Sequence, residues 1–391
     1  MKKSLYTLWC TCILVLFMNS MFPWYMWNNS VLQLSMCLTV LVSALLFITG
    51  RKIFAITKSS LQLILIVLLA YVVYLMIHGG LLGVGLTFIV WVFVILLKER
   101  YKRQLLSFIT KWFSILILVS LTTYIFYLLG FSIPPSTIVW NDGQYIHYNY
   151  YTFLISTNAT DFFRFMSIFM EPGHMTMGLV PLIMANRFDL KNRYVLILFI
   201  AGLFSFSLAA YITIFLGYVL FNLSRNRIKH LAGSFLVVAS VVLIVNAFPL
   251  GHEVLDYFLW DRLEFEDGTI VGNNRTTQAF DRVYENVMNS PQRWFGDQDV
   301  DIEAYGGISG FKKFLVTDGL CSIIVWVLLY LYNAFRRRNK DVLILSSIIL
   351  LLLFQNAYPM WHCVFFCYCL GAAELSKRDY NGTNLICTSE K

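Results

Sequence analysis

The sequence predicts an all-α polytopic integral membrane protein, a single membrane domain over residues 1–391. Three observations predict it. Of the 391 residues, 58% are hydrophobic and only 13% charged, where soluble chains carry about a quarter charged residues. The apolar residues fall in blocks of roughly 15–20, long enough to cross a hydrocarbon layer about 30 Å thick as helices. The charges that flank those blocks are lopsided in sign. The same composition excludes an ordinary cytosolic enzyme, a disordered chain and a disulfide scaffold.

Twelve blocks are predicted: 5–22, 31–49, 60–77, 81–97, 112–131, 166–186, 194–208, 209–223, 231–249, 314–333, 341–357 and 359–375. The first follows Lys2 and Lys3 and resembles a secretory signal. It runs into Met18-Asn19-Ser20-Met21 without a small-x-small cleavage site, so it reads as an uncleaved helix. The stretch 194–224 must cross twice, turning near Ser205–Ala210. A single crossing would put Arg336, Arg337, Arg338 and Lys340 outside, against the rule that such cations stay cytoplasmic. The same parity splits 341–376 around Asn356–Trp361, where Pro359 supplies a break. With both termini cytoplasmic, only Arg164, Arg262, Arg275, Arg282, Arg293, Lys312 and Lys313 of the 30 lysines and arginines fall outside. The net charge of +8 therefore reports membrane orientation, and no nucleic-acid partner is expected.

Two larger extracytoplasmic loops follow from this topology, 132–165 and 250–313. In the first, β-forming residues on either side of Asn141-Asp142-Gly143 predict a hairpin. Its Trp140, Tyr145 and His147, with Tyr148, Tyr150 and Tyr151, either stack on sugar faces or form an interfacial aromatic belt. In the second, Phe280, Val283, Tyr284, Val287 and Met288 lie on one stripe of an amphipathic helix near 275–290, with Asn274 as N-cap and Pro291 as its end. Arg275 and Arg282 are seven apart and share the opposite face. Two guanidiniums there either hold a diphosphate or are simply solvated.

The segment Arg164-Phe165-Met166-Ser167-Ile168-Phe169-Met170-Glu171-Pro172-Gly173-His174 carries the strongest chemical signal. Counting back from Arg187, a crossing helix starts near Met166, which puts Glu171 about 7–8 Å below the outer boundary at about 1.5 Å per residue. A carboxylate at that depth costs about 2.5–3.5 kcal/mol to insert and needs a partner or a cavity. His174 and Arg164 are spaced to reach its side of the helix. The group suits a general base; an N-terminal cap or a structural ion pair would use the same residues.

Elsewhere the sequence is quieter. Cys363, Cys367 and Cys369 share one helix and read as small apolar packing. No metal site and no cofactor are expected. The cytoplasmic loops have no phosphate-cradling glycine motif. His78, His147, His252 and His362 lie near the outer face and read as interfacial hydrogen-bonders.

The segment R-F-M-S-I-F-M-E-P-G-H resembles the Arg…Glu-Pro-Ser/Gly signature of bacterial O-antigen and capsular repeat-unit polymerases, the Wzy type within the polymerase/ligase superfamily. F-S-F-S-L-A-A-Y at 204–211, N-N-R-T-T-Q-A-F-D-R-V at 273–283, G-G-I-S-G-F, and D-G-L-C-S-I-I-V-W at 318–326 follow in the order that family shows. The likeness covers about residues 160–375. The Ser-rich turn lacks the arginine or glycine pair often found there, and the glycine pattern near 296 is only Gly296-Asp297-Gln298.

The resemblance implies a membrane glycosyltransferase of the bacterial cytoplasmic (inner) membrane. It would use a glycan on undecaprenyl diphosphate as donor and a lipid-linked repeat unit as acceptor, with inversion and without metal. Arg275, Arg282 and Arg164 would hold the diphosphate, and Glu171 or His174 would take the acceptor proton. Trp140, Tyr145 and His147 would bind sugar. Partners implied are the lipid-linked oligosaccharide, the bilayer, a chain-length regulator and a flippase. Three alternatives remain: an O-antigen ligase that transfers glycan to lipid A core, a polysaccharide flippase or transporter, and a membrane acyltransferase that would use a histidine near a thioester path. Polar residues gathered on one side, with no internal repeat, favour chemistry over transport.

Overall fold

The computed structural model describes residues 2–26, 31–79, 82–133, 139–141, 146–157, 164–225, 232–234, 265–266, 269–270, 277–305 and 310–376. The chain is mostly helical. Its first half forms α1 (Lys2–Asn19), α2 (Val31–Thr49), α3 (Lys58–His78), α4 (Leu82–Leu96) and α5 (Glu99–Leu128). Three strands follow, β1 (Val139–Asn141), β2 (Ile146–Asn149) and β3 (Leu154–Thr157), in one antiparallel sheet. Next come α6 (Pro172–Ala185), α7 (Arg193–Phe204), α8 (Leu208–Ser224) and the two-residue strands β4 (Phe265–Glu266) and β5 (Thr269–Ile270). The last helices are α9 (Gln278–Met288), α10 (Gly310–Arg337), α11 (Lys340–Gln355) and α12 (His362–Leu375). Most of block 231–249 lies outside the described residues.

Four helices, α2, α3, α5 and α10, are long and apolar enough to cross a membrane. Their outer faces agree with a lipid solvent. Along α2, Leu34, Leu38, Leu41, Leu45 and Ile48 are each more than half exposed. They recur at three and four residues, so one apolar stripe points away from the bundle. By contrast α6 and α12 are buried on every side, apart from Gly173 and Glu374. A helix apolar all round belongs in a core, and these two pack together at the centre of the bundle.

The helices meet at two chemically different ends. At the basic end Arg187 Nη2 donates to the Glu374 carbonyl at 3.0 Å, and Arg225 pairs with Asp341 at 3.4 Å. Arg337 pairs there with Glu99 at 2.9 Å. Guanidiniums on the last carbonyls of helices satisfy orphan acceptors and the negative end of the dipole. At the other end, here called the loop end, Trp24 N donates to the Ile168 carbonyl at 2.9 Å and Phe165 N to the Phe204 carbonyl at 3.1 Å.

The breaks have local causes. Between α7 and α8 the chain turns at Ser205–Ser207, where Phe206 takes φ 45 and Ser207 is extended at the α8 N-cap. Between α11 and α12 the break at 356–361 contains Pro359, whose carbonyl accepts from Tyr330 Oη at 2.6 Å.

One expected element is corrected. The helix placed at 166–186 starts only at Pro172. Steric pressure from the Pro172 ring keeps the preceding residue out of the helical region, and Glu171 is extended at φ −141 and ψ 152. Residues 165–169 are instead buried irregular chain, held between the Phe22–Trp24 turn and β3, where Leu154 N donates to the Ser167 carbonyl at 2.8 Å. At about 1.5 Å per residue, α6 is too short by itself for a 30 Å hydrocarbon layer.

Candidate active site at the loop end

Glu171 is the N-cap of α6 and its side chain makes no capping hydrogen bond. It is exposed. A carboxylate placed there is stabilised by the positive end of the helix dipole yet stays available to a ligand. The expectation of a buried carboxylate one turn inside a helix is therefore corrected. So is the shared helical face with Arg164, because 164–171 is not helical.

His174 stands in the first turn of α6 and is 9% exposed. Its Nδ1 is buried without a hydrogen-bond partner among the described residues. Three aromatic rings surround it: Trp361 at 5.0 Å, Phe22 at 6.0 Å and Tyr358 at 6.0 Å between centroids. Tyr358 and Trp361 are stacked at 4.5 Å and 4°, and Phe22 is 41% exposed. Glu171 lies within electrostatic reach of both His174 and the Tyr358 hydroxyl. An acid, an imidazole and a flat aromatic platform thus meet where α6 and α12 both begin. Sequence reasoning missed this platform because its members come from positions 22, 358 and 361.

Arg164 reaches the α7–α8 turn, where its Nε donates to the Ser205 carbonyl at 3.4 Å. Tyr211, also within its electrostatic reach, donates to the Leu203 carbonyl at 2.6 Å. Two of the sequence motifs, the Arg164 segment and the Ser-rich turn, are joined by this contact.

Arg282 sits on α9, whose apolar stripe docks as its spacing demands. Phe280 and Val287 are buried against Val316 of α10, with Val283, Tyr284 and Met288 around them. Arg282 faces outward, exposed, with no hydrogen bond or ion pair among the described residues. Its neighbour Asp281 is neutralised by Lys312 at 2.6 Å. The N-cap is Thr277, whose side chain accepts from Phe280 N, and not Asn274. The described helix begins at Gln278; Arg275, and with it the expected shared face of Arg275 and Arg282, lies outside the described residues.

The sugar candidates divide. Trp140 pairs with His147 across β1 and β2, and His147 pairs with Ser156 on β3. His147 is only 2% exposed, so it supports the sheet and offers no face to a sugar. Tyr145 lies outside the described residues, as does the side chain of Trp140. Tyr150 stacks on Phe153 at 4.8 Å. Burial pushes its phenol up to about 12, with Tyr127 and Tyr148 adding to the effect. Among the other histidines, His362 is a buried acceptor from Trp91 Nε1 at 3.1 Å, and His252 lies outside the described residues.

A second acid–imidazole pair was not foreseen. His78, at the end of α3, and Asp318, on α10, approach to 2.8 Å between Nε2 and Oδ1. Thr317 Oγ1 lies 2.6 Å from the other carboxylate oxygen, and Tyr74 covers the imidazole at 4.3 Å. An ionised carboxylate only accepts, so in this contact Nε2–H is the donor to Oδ1. The signal for Asp318 was its place inside the apolar block 314–333, followed at once by Gly319. Gly319, at φ 72 and ψ 179, breaks α10 into two segments there.

Among the described residues no group of three or more His, Cys, Asp and Glu side chains has the geometry of a metal site. No protein-family model, curated protein or solved structure matches the chain.

Proposed function

We propose that the protein is a repeat-unit polymerase of the bacterial inner membrane, working at the loop end of the bundle. It transfers a growing glycan from undecaprenyl diphosphate to a lipid-linked repeat unit. In this reading the chain crosses the membrane twelve times, both termini are cytoplasmic, and the loop end is extracytoplasmic. One observation carries the proposal. Glu171 and His174 open the buried helix α6 beside an aromatic platform, at the bundle end from which the loops carrying Arg164 and Arg282 emerge. The order of the sequence motifs supports the same assignment.

The chemistry requires a base for the acceptor hydroxyl and cations for the departing diphosphate. The hydroxyl oxygen attacks the anomeric carbon, and the carbon–oxygen bond to phosphate breaks with its electron pair on the diphosphate. Arg282, unpaired and exposed, is suited to that charge, with Arg164 at the Ser205 turn. Glu171 or His174 takes the proton; His78, oriented by Asp318, is the other imidazole able to do so. Tyr358 and Phe22, each 41% exposed, provide apolar faces on which a sugar ring can stack, with Trp361 behind Tyr358.

The test is a gel of purified protein incubated with undecaprenyl-diphosphate repeat unit, without nucleotide or added metal. A ladder of lengthening glycans is expected. No ladder from folded protein, with transfer appearing when lipid A core is added, would identify a ligase instead. No transfer to either acceptor would leave neither glycosyltransferase reading standing.

A further inference from the structure

We propose that the basic end carries a binding site for a phosphate-bearing anion, presented by a lipid headgroup. The site is a cavity of about 270 Å³ between the start of α3, the α4–α5 connection and the end of α10. This inference is independent of the polymerase reading.

The lining of the cavity is rich in donors and poor in acceptors. Lys98, Lys102, Arg336 and Arg337 line it, with Glu99 as its one acid. Glu99 is already engaged, with Arg337 at 2.9 Å and Lys102 at 3.5 Å. Burial raises the Glu99 carboxyl, but Lys102 and Arg337 outweigh it and hold the group below its ordinary range. Lys98 and Arg336 are exposed and have no acidic partner among the described residues. Arg337 also keeps its Nε buried and unpartnered. Ser59 and the Asn333 amide add neutral hydrogen-bonding groups to the wall. Two uncompensated cations, Lys98 and Arg336, at the mouth of a cavity also lined by Lys102 and Arg337 call for an anion.

The surroundings identify the source of that anion. From this end α3 runs away with Leu61, Leu65, Leu68 and Val72 on its exposed side, each at least 44% exposed. A lipid whose phosphate sits in the cavity can lay its acyl chains along that stripe. A free phosphate would use the cavity alone. Cationic pockets between membrane helices bind anionic headgroups for this reason.

The full-length chain is tested in phosphatidylcholine nanodiscs with and without phosphatidylglycerol, reading retained lipid by native mass spectrometry. Wild type is expected to retain phosphatidylglycerol in preference to phosphatidylcholine. The double variant Lys98→Ala/Arg336→Ala leaves the Glu99 ion pairs intact and should retain it about thirty-fold more weakly. The charge-keeping Lys98→Arg/Arg336→Lys should restore most of the retention. Equal retention of the two lipids by wild type, or equal phosphatidylglycerol retention by wild type and the alanine double variant, overturns the lipid assignment. Inorganic phosphate is the second arm. If it protects wild type thermally but not the alanine variant, while lipid retention is unselective, the anion site stands and the lipid source falls. If neither phosphate nor lipid distinguishes the proteins, the site itself is refuted.

Discussion

Gly296 and Gly319 meet backbone to backbone: a Cβ on Gly319 would lie 2.6 Å from the Gly296 amide nitrogen. Both residues have positive φ, 79 and 72. Asp297 N completes the joint by donating to the Val316 carbonyl at 2.6 Å. The turn after α9 is thus clamped onto the kink that presents Asp318. Gly319→Ala should strain the backbone by about 1–3 kcal/mol and push the turn away. Faster amide hydrogen exchange in α9, with α6 and α12 unchanged, is the expected readout. Unchanged protection in α9 would show that the clamp is unnecessary for docking.

Arg282 is exposed and makes no side-chain hydrogen bond or ion pair among the described residues, so Arg282→Ala should leave the melting temperature nearly unchanged. If it holds the leaving diphosphate, glycan synthesis should fall by about 10²–10³-fold. A normal ladder from this variant would remove Arg282 from the site.

Glu171 and Asp318 are both acids beside an imidazole, and substitutions separate their roles. Glu171→Gln removes an exposed side chain that does not cap its helix, at a stability cost of about 0.3–1 kcal/mol from the dipole. Asp318→Asn keeps the shape but lets the amide donate, which favours the wrong tautomer of His78. Whichever acid serves the base should show a rate loss of about 10²–10⁴-fold and an altered pH–rate profile. The other should change neither, and a wild-type profile in both variants would move the base elsewhere.

Glu99 gives a pH dependence with a definite sign. Its carboxyl is depressed in the folded protein, so its contribution to stability is complete above the ordinary carboxylate value of about 4.3. That contribution is lost as pH falls through the lower folded value. Thermal melts of wild type and Glu99→Gln should therefore differ near neutral pH and converge in acid. A gap that persisted or widened in acid would contradict the assigned shift.

Much of this architecture is written locally. Block 31–49 and α2 coincide, and 341–357 and 359–375 fall on α11 and α12 because hydrophobicity and Pro359 act within a few residues. The α9 stripe was equally legible, since Phe280, Val283, Tyr284 and Val287 repeat with the helical period and the opposite face is polar. The start of α6 was misread although its cause, Pro172, was in plain view. Apolar residues upstream continued the hydrophobic run, and hydrophobicity alone does not distinguish a buried irregular strand of chain from a helix.

What the sequence by itself determined is a set of apolar helices, their breaks, and the opposition of a basic end to a loop end. Tertiary structure alone decided which helices face lipid and which fill the core. In a membrane protein both environments are apolar, so α3 and α6 are both predominantly apolar yet opposite in exposure. It also decided which polar groups meet. His78 and Asp318 are 240 positions apart, and Phe22 joins Tyr358 and Trp361 only when α1 and α12 pack. Such encounters depend on how helices are arranged around one another, and periodicity within a single segment contains no record of that.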